Sequence, residues 1–289
     1  MTTLTARAPA ERAFLGLSAT GFHRVAYWEW GQGPRTIVCV HGLTRNGRDF
    51  DVLAERLSER LGARIVCPDV VGRGRSGRLA NPDLYGYPQY LADMAALIAR
   101  LDVESVDWVG TSMGGLIGLL LAAQPNSPIR RLVVNDVGPF VPKAALERLA
   151  SYVGTDPAFA TEAEVEAYLR THYSGFGRLT DAQWAHLARH SAVAQPDGSF
   201  RMAYDPGISR LFKTAPIGDV DLWPVWKSVR CPVLLVRGTE SDLLPNETAQ
   251  RMLIEGPPTT LVEVPETGHA PALMEEAQLR AVEAFLRDG

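Results

Sequence analysis

Short apolar runs alternate with amphipathic helical stretches along residues 1–138 of the chain. The runs TIVCVHG, ARIVCPDV, SVDWVGTS and RLVVNDVG are rich in β-branched residues, as strands buried on both faces of a sheet are. Between them, GRDFDVLAERLSERLG and PQYLADMAALIARLD carry apolar residues at helical spacing. This alternation predicts an α/β fold in which a mostly parallel sheet has helices on both faces.

The alternation is interrupted between residues 139 and 226, where the sequence predicts helices and no strands. Strand-like runs return with CPVLLVRG and TTLVEVPE, and a helical stretch follows them near the end of the chain. We therefore predict two parts. A core is formed by residues 1–138 and 227–289, and a helical cap is formed by residues 139–226.

One serine stands between two glycines at a predicted strand-to-helix turn, in Gly110-Thr111-Ser112-Met113-Gly114. A G-x-S-x-G pentapeptide alone is weak evidence, but here a strand-like run precedes it and a helix-like run follows it. Such a turn strains the backbone of the serine and crowds its neighbours, which glycines two positions to either side relieve. The context predicts that Ser112 is a catalytic nucleophile.

A serine hydroxyl needs a base to take its proton and a third group to hold the base. His269 is the best candidate base, because it falls in a loop after the last strand-like run, where a side chain can reach the carboxyl edge of the sheet. Asp242 follows CPVLLVRG and gives the chain order Ser112, Asp242, His269. Asp136, at the end of RLVVNDVG, is the alternative acid, and we favour Asp242.

The negative charge of a tetrahedral intermediate needs hydrogen-bond donors, which backbone amides can supply. The expected donors are the N–H of Met113, directly after the nucleophile, and the N–H of Leu43, in the HGLTR loop. We expect an enclosed apolar pocket beside them, partly roofed by aromatic residues of the cap, that suits short to medium acyl or aryl esters. Its predicted members are Phe140, Trp184, Phe212, Leu243 and Leu244.

Two further patterns are weaker evidence for a function. The segment GRGRSG, residues 72–77, matches the G-x-G-x-x-G of dinucleotide-binding turns, but prolines and no helix follow it, so we predict a surface loop. His186 and His190 have the i, i+4 spacing of metal ligands, but no carboxylate of the H-E-x-x-H type lies between them, which favours a solvated helix face. The sequence predicts no cofactor and no metal.

The charge balance bears on partners. The chain has 29 basic and 33 acidic side chains and a net charge of −4, which argues against nucleic acid as the main partner. A small-molecule ester substrate fits better, and a homodimer stays open. Cys39, Cys67 and Cys231 are odd in number and lie in or beside apolar runs, which indicates a reducing compartment.

Targeting signals are the last constraint from composition. The amino-terminal MTTLTARAPAERAFLG has no continuous apolar segment of the kind found in secretory signals. A membrane span needs about 18 consecutive apolar residues, and the sequence has no such run. We therefore expect a cytoplasmic protein without a membrane partner.

Five motifs together resemble the α/β-hydrolase superfamily over nearly the whole chain: HGLTR, PDVVGRGRSG, GTSMGG, SDLLP and GHAP. The resemblance implies an eight-stranded, mostly parallel sheet with a helical cap inserted after strand six. It also implies a Ser-Asp-His triad and no metal or cofactor. Fold alone does not settle the substrate, because this scaffold hosts many chemistries.

Within that superfamily the sequence is most similar to capped esterases and lactonases, with bacterial carbon-carbon bond hydrolases close by. The latter usually carry a Gly/Pro-rich segment after the His-Gly, where this chain has the polar LTRNGRDF. Dehalogenases of this fold have an aspartate at the position of Ser112, which excludes that activity. The leading hypothesis is therefore a carboxylesterase, and the alternatives are a lactonase, a carbon-carbon bond hydrolase and a non-catalytic small-molecule receptor.

Overall fold

The structure is a computed structural model that describes residues 8–213 and 216–287. The prediction that the amino terminus carries no apolar signal falls partly on residues 1–7, outside the described part of the chain. Among the described helices, none has the length and apolar character needed to cross a membrane.

Strands and helices alternate through the first part of the chain, as predicted. The elements, in chain order, are β1 (Ala10–Ser18), β2 (Gly21–Trp30), β3 (Thr36–Val40), α1 (Asp51–Leu61), β4 (Arg64–Pro68), α2 (Tyr87–Leu101), β5 (Val106–Thr111), α3 (Met113–Ala122) and β6 (Ile129–Asn135). Helices α1 and α2 both end at a residue in the left-handed conformation, Gly62 and Asp102, which stops the helix and turns the chain back towards the sheet.

The stretch between residues 139 and 226 contains the predicted helices and also short strands. It comprises β7 (Phe140–Val141), α4 (Lys143–Tyr152), β8 (Ala158–Phe159), α5 (Glu162–His172), α6 (Asp181–Ser191), β9 (Ala192–Ala194), β10 (Phe200–Met202), β11 (Val220–Asp221) and α7 (Trp223–Ser228). Strands β8, β10 and β9 form a small antiparallel sheet, and β11 pairs with β7. The expectation of helices without strands was therefore wrong, because strands of two or three residues are too short to show a period of two.

The main sheet is completed after this insertion by β12 (Val233–Gly238), α8 (Asn246–Ile254), β13 (Thr259–Val264) and α9 (Glu276–Arg287). Its eight strands lie in the order β1-β2-β4-β3-β5-β6-β12-β13. The pairs β1·β2 and β2·β4 are antiparallel, and the remaining five pairs are parallel. The predicted eight-stranded, mostly parallel α/β fold is confirmed.

Both faces of the central part of the sheet are buried. Along β3, Val38 and Val40 pack into the hydrophobic cluster on one face, and Ile37 and Cys39 pack into the cluster on the other. All five residues of this strand are buried, as its unbroken apolar sequence indicates. Because the central strands are parallel, the loops after β3, β5, β6 and β12 meet at one edge of the sheet, where ligands bind in open α/β sheets.

Candidate active site

Ser112 lies in a sharp turn between β5 and α3, with φ 52° and ψ −116°. A residue other than glycine rarely adopts a positive φ, so the backbone at Ser112 is strained. A Cβ atom added at Gly110 would come within 2.2 Å of the Gly114 carbonyl oxygen, and one added at Gly114 within 1.9 Å of the Val40 carbonyl oxygen. Both flanking glycines are therefore required by the close approach of backbone to backbone, as predicted for this motif.

His269 lies in the loop between β13 and α9, and its two ring nitrogens contact two other side chains. Nε2 is 2.8 Å from Oγ of Ser112, and Nδ1 is 2.8 Å from Oδ2 of Asp136. A carboxylate only accepts hydrogen bonds, so Nδ1 carries the hydrogen and Nε2 offers its lone pair to the serine hydroxyl. The predicted pairing of Ser112 with His269 is present.

Asp136 is the carboxylate against His269, and the choice of Asp242 was wrong. Asp242 is exposed and forms a two-point ion pair with Arg148 of α4, with N···O distances of 2.5 and 2.9 Å. Asp136 directly follows β6, and its side chain is completely buried. Both aspartates satisfy the expected order along the chain relative to Ser112 and His269, so order alone could not separate them.

The surroundings of Asp136 hold its carboxylate in one orientation. The backbone N–H of Gly238 donates to Oδ1 at 2.8 Å, and the hydroxyl of Ser241 donates to Oδ2 at 2.6 Å. Both donors come from the end of β12 and the turn after it, the same turn that carries Asp242. The predicted loop thus contributes to the site through Ser241 and a backbone amide.

Leu43 and Met113, the predicted oxyanion donors, both line a cavity that opens on Ser112. Met113 is the first residue of α3, so its N–H has no acceptor within that helix and points to the helix start. Leu43 lies in the loop after β3 and lines the same cavity. The role of the two N–H groups as oxyanion donors stays a prediction.

His41 opens the loop that carries Leu43 and has a structural role. Its Nε2 accepts a hydrogen bond from the N–H of Val70 at 2.9 Å, and its Nδ1 donates to the carbonyl of Gly42 at 2.7 Å. Burial lowers the pKa of His41 to about 3, so the ring is neutral at physiological pH. It joins the loop after β3 to the segment after β4.

One cavity beside Ser112 is apolar and has a volume of about 450 Å³. Of the predicted pocket residues, Phe212 and Leu243 line it. Phe140, Trp184 and Leu244 line neither this cavity nor the one described next, and that part of the prediction was wrong. Trp184 and Leu244 are buried in the hydrophobic cluster, and Phe140 packs against it. Most residues of the wall were not predicted from the sequence. They include Leu116, Leu120, Val137, Val141, Leu146, Leu149, Leu211, Ile217, Val220 and Leu222.

A second, smaller cavity also borders Ser112. Its volume is about 60 Å³, and its wall includes Ser112 and His269 together with the charged side chains of Arg45, Asp49 and Arg148. Arg45 is buried and forms a two-point ion pair with Asp49, at 2.8 and 2.7 Å. Arg148 is exposed and pairs with Asp242. The nucleophile therefore borders one space with an almost wholly apolar wall and another whose wall carries charged side chains.

The histidine pair and the GRGRSG segment both have surroundings that differ from those predicted. His186 and His190 are half-buried, and potential ligand atoms of both lie within 4.8 Å of those of Asp51. The guanidinium of Arg48 already binds both oxygens of Asp51, and its positive charge opposes a cation there. A solvated helix face was the wrong description of this pair, and the absence of a metal stays a prediction.

In the GRGRSG segment, Arg75 is exposed as expected of a surface loop, but Arg73 is not. Only 1% of its surface is accessible, which makes it one of the largest fully buried side chains among the described residues. The description of the segment as a surface loop was therefore wrong for this residue.

Comparison with known proteins adds to the geometry. The family model described as "Alpha/beta hydrolase family" matches residues 37–284. The chain is 47% identical over 281 residues to a 3-hydroxybutyrate-oligomer hydrolase of Cupriavidus necator, covering 93% of this chain and 94% of that protein. It is 29% identical over 260 residues to a 2-(acetamidomethylene)succinate hydrolase of Mesorhizobium japonicum, with 89% and 90% covered.

The fold is also shared with a solved structure. An alpha/beta hydrolase from Novosphingobium aromaticivorans superimposes with a TM-score of 0.85 at 34% sequence identity. The match covers 98% of this chain and 99% of that one, so the similarity extends over the insertion as well as the main sheet.

Proposed function

Because the chain belongs to the alpha/beta hydrolase family and is a hydrolytic enzyme, we propose that it cleaves carboxylic esters through an acyl-enzyme on Ser112. The observation that carries this proposal is the hydrogen-bonded series from Ser112 through His269 to Asp136, with both distances at 2.8 Å. A strained serine, a neutral base and a buried carboxylate in contact are the three groups that acyl transfer needs.

The geometry supports a two-step reaction. His269 Nε2 takes the hydroxyl proton as Ser112 Oγ attacks the ester carbonyl, and the N–H groups of Leu43 and Met113 bind the resulting oxyanion. The intermediate collapses, the C–O bond to the alcohol breaks, and His269 returns the proton to the leaving oxygen. Water then attacks the acyl-enzyme by the same route, which releases the acid and restores Ser112.

For the substrate class, we propose short oligoesters of hydroxy acids such as 3-hydroxybutyrate. The relative at 47% identity is named for hydrolysing 3-hydroxybutyrate oligomers. Each such oligomer has methyl-branched acyl units and one terminal carboxylate, and the two cavities at Ser112 differ in the same way. We place the acyl part in the apolar cavity and the carboxylate-bearing leaving alcohol beside Arg45 and Arg148.

The proposal is tested with the purified protein and four substrates. They are a 3-hydroxybutyrate dimer, its methyl ester at the terminal carboxylate, p-nitrophenyl butanoate and a ring-cleavage dienoate. We expect turnover of the first three, with the methylated dimer showing a KM raised by roughly tenfold because it loses a charge-assisted contact. Ser112→Ala should abolish all turnover while keeping the fold, and a variant retaining more than about a tenth of kcat/KM would contradict the assignment.

The arginine at the mouth has a matched control. Arg148→Ala should raise KM for the dimer and leave KM for p-nitrophenyl butanoate nearly unchanged, since only the dimer carries a carboxylate. Arg170→Ala removes an arginine of similar exposure, 39% against 41%, that lies in α5 away from both cavities. Turnover of the dienoate alone would replace the esterase by a carbon-carbon bond hydrolase, and ligand binding without any turnover would leave a receptor.

A further inference from the structure

Arg73 is buried behind the loops that form the candidate active site. Its guanidinium donates to the carbonyl of Leu43 through Nε at 2.8 Å and to the carbonyl of Val71 through Nη1 at 2.7 Å. Nη1 also donates to the hydroxyl of Tyr90 at 3.0 Å, and Nη2 lies 3.7 Å from the sulfur of Met113. The side chain therefore contacts both residues that would supply the oxyanion amides.

The charge of Arg73 has no carboxylate partner within 4 Å among the described residues. The other two buried arginines among the described residues, Arg45 and Arg237, are slightly more accessible than Arg73 and do have one. Arg45 pairs with Asp49, and Arg237 pairs with Glu263 at 2.8 Å. Arg73 is instead flanked by the rings of Tyr85 and Tyr90, with its central carbon 5.8 and 5.0 Å from their centroids. A full positive charge thus remains uncompensated in the interior.

The turn that carries Arg73 is built to aim it inwards. Gly72 and Gly74, on either side, have φ of +83° and +54°, a conformation that favours glycine. A Cβ at Gly72 would come within 2.6 Å of the Tyr85 ring, and one at Gly74 within 2.3 Å of the Asp69 carboxylate. The Gly-Arg-Gly sequence is therefore required by this conformation, and it explains the glycine pattern without any dinucleotide.

We infer that Arg73 is a positioning residue for the oxyanion site, an inference that rests on the proposed ester hydrolysis. Its hydrogen bond to the Leu43 carbonyl fixes the orientation of that residue and hence of its N–H. Its uncompensated charge favours negative charge at the site that Leu43 and Met113 enclose, because a buried charge is weakly screened. Preorganised charge of this kind acts on the transition state more than on the bound substrate.

The test compares Arg73→Met, which keeps length and removes the charge, with Arg75→Met as the matched control. Arg75 belongs to the same turn, but its side chain is 63% exposed. Three quantities are measured for each protein: kcat and KM for p-nitrophenyl butanoate, the affinity for a butyl trifluoromethyl ketone, and the affinity for butanamide. Ser112 Oγ adds to the carbonyl carbon of the ketone and the hydroxyl proton moves to His269, so the adduct carries the oxyanion. Butanamide is uncharged and binds without an oxyanion.

We expect Arg73→Met to lower kcat and the ketone affinity by a similar factor, roughly 10- to 100-fold, and to change KM and butanamide affinity by less than about threefold. Arg75→Met should match the wild type in all three. Arg73→Lys, which keeps the charge, should recover part of the ketone affinity. If Arg73→Met does not fold, Arg73→Gln serves the same comparison, because it also lacks the charge.

Two outcomes would overturn the inference. A folded, uncharged variant with kcat within threefold of the wild type shows that Arg73 does not act on the oxyanion, and an equal loss of ketone and butanamide affinity shows general disruption of the pocket. Both leave the proposed function intact, since the wild type still cleaves the ester through Ser112. A wild-type protein that cleaves no ester contradicts the proposed function itself.

Discussion

Nδ1 of His269 lies 2.8 Å from Oδ2 of Asp136, although the two residues are 133 positions apart in the sequence. The contact joins the end of β6 to the loop after β13, across the carboxyl edge of the sheet. Hydrogen bonds from Gly238 and Ser241 hold the same carboxylate in position. A base held in this way keeps one tautomer, with its free lone pair on the side of Ser112.

Asp136→Asn should therefore lower kcat/KM for an ester far more than Asp242→Asn. An asparagine amide disfavours the tautomer with the hydrogen on Nδ1, and we expect a loss on the order of 10⁴-fold. Asp242→Asn breaks only an exposed ion pair with Arg148, and we expect less than about a fivefold change for p-nitrophenyl butanoate. Both variants should unfold at temperatures close to that of the wild type. The opposite ranking in steady-state kinetics would return the acid to the loop after β12.

The local sequence predicted two of these three groups for physical reasons. Ser112 lies in a turn whose steric requirements appear directly as glycines, and His269 lies in a loop at the edge where parallel strands end. The acid could not be chosen in the same way. Asp136 and Asp242 both follow apolar strands, and only the packing of β6 beside β12 decides which carboxylate faces the histidine.

Arg73 shows a second limit of reading sequence. An arginine between glycines is usually exposed, and the pattern has no hydrophobic period that would indicate burial. Its burial depends on tyrosines 12 and 17 positions later and on the Leu43 carbonyl, all of which the fold brings together. Most of the wall of the apolar cavity was missed for the same reason, since its residues come from six separate segments of the chain.

Gly114→Ala should destabilise the protein, although alanine normally favours a helix. The added Cβ would lie 1.9 Å from the Val40 carbonyl oxygen, so β3 and α3 must separate. We expect a loss of at least about 2 kcal/mol in the free energy of unfolding, measured by urea denaturation. Gly86→Ala is the control, because Gly86 has φ 179° and only a contact of 3.7 Å with Pro88. Equal stability of the two variants would show that the elbow has room for a side chain.

His41 should make stability depend on pH in the acid range. Burial lowers its pKa to about 3 in the folded state, against about 6.5 in the unfolded chain. Between these values the unfolded state binds more protons, so stability is complete above pH 6.5 and falls as the pH drops towards 3. One proton contributes a slope of about 1.4 kcal/mol per pH unit.

In urea titrations from pH 7 to pH 4, His41→Gln should lose about this slope, and His172→Gln, at an exposed position of α5, should keep it. Identical slopes in all three proteins would contradict the account.

The apolar cavity sets the last prediction, the dependence of activity on acyl length. Its volume is about 450 Å³ and its wall is mostly apolar side chains, so acyl chains gain affinity only while they fit. Each buried methylene contributes about 0.8 kcal/mol, and a chain that reaches the wall gains nothing more and must displace packed residues. On p-nitrophenyl esters, kcat/KM should therefore rise from acetate to a short or medium chain and collapse for long ones.

Phe212→Ala enlarges the cavity at its wall and should move the optimum to longer chains. Phe200→Ala removes a ring of the insertion that lines neither cavity and should leave the optimum in place. An optimum that moves equally in both variants, or long chains cleaved as well as short ones by the wild type, would show that the acyl chain does not bind in this cavity.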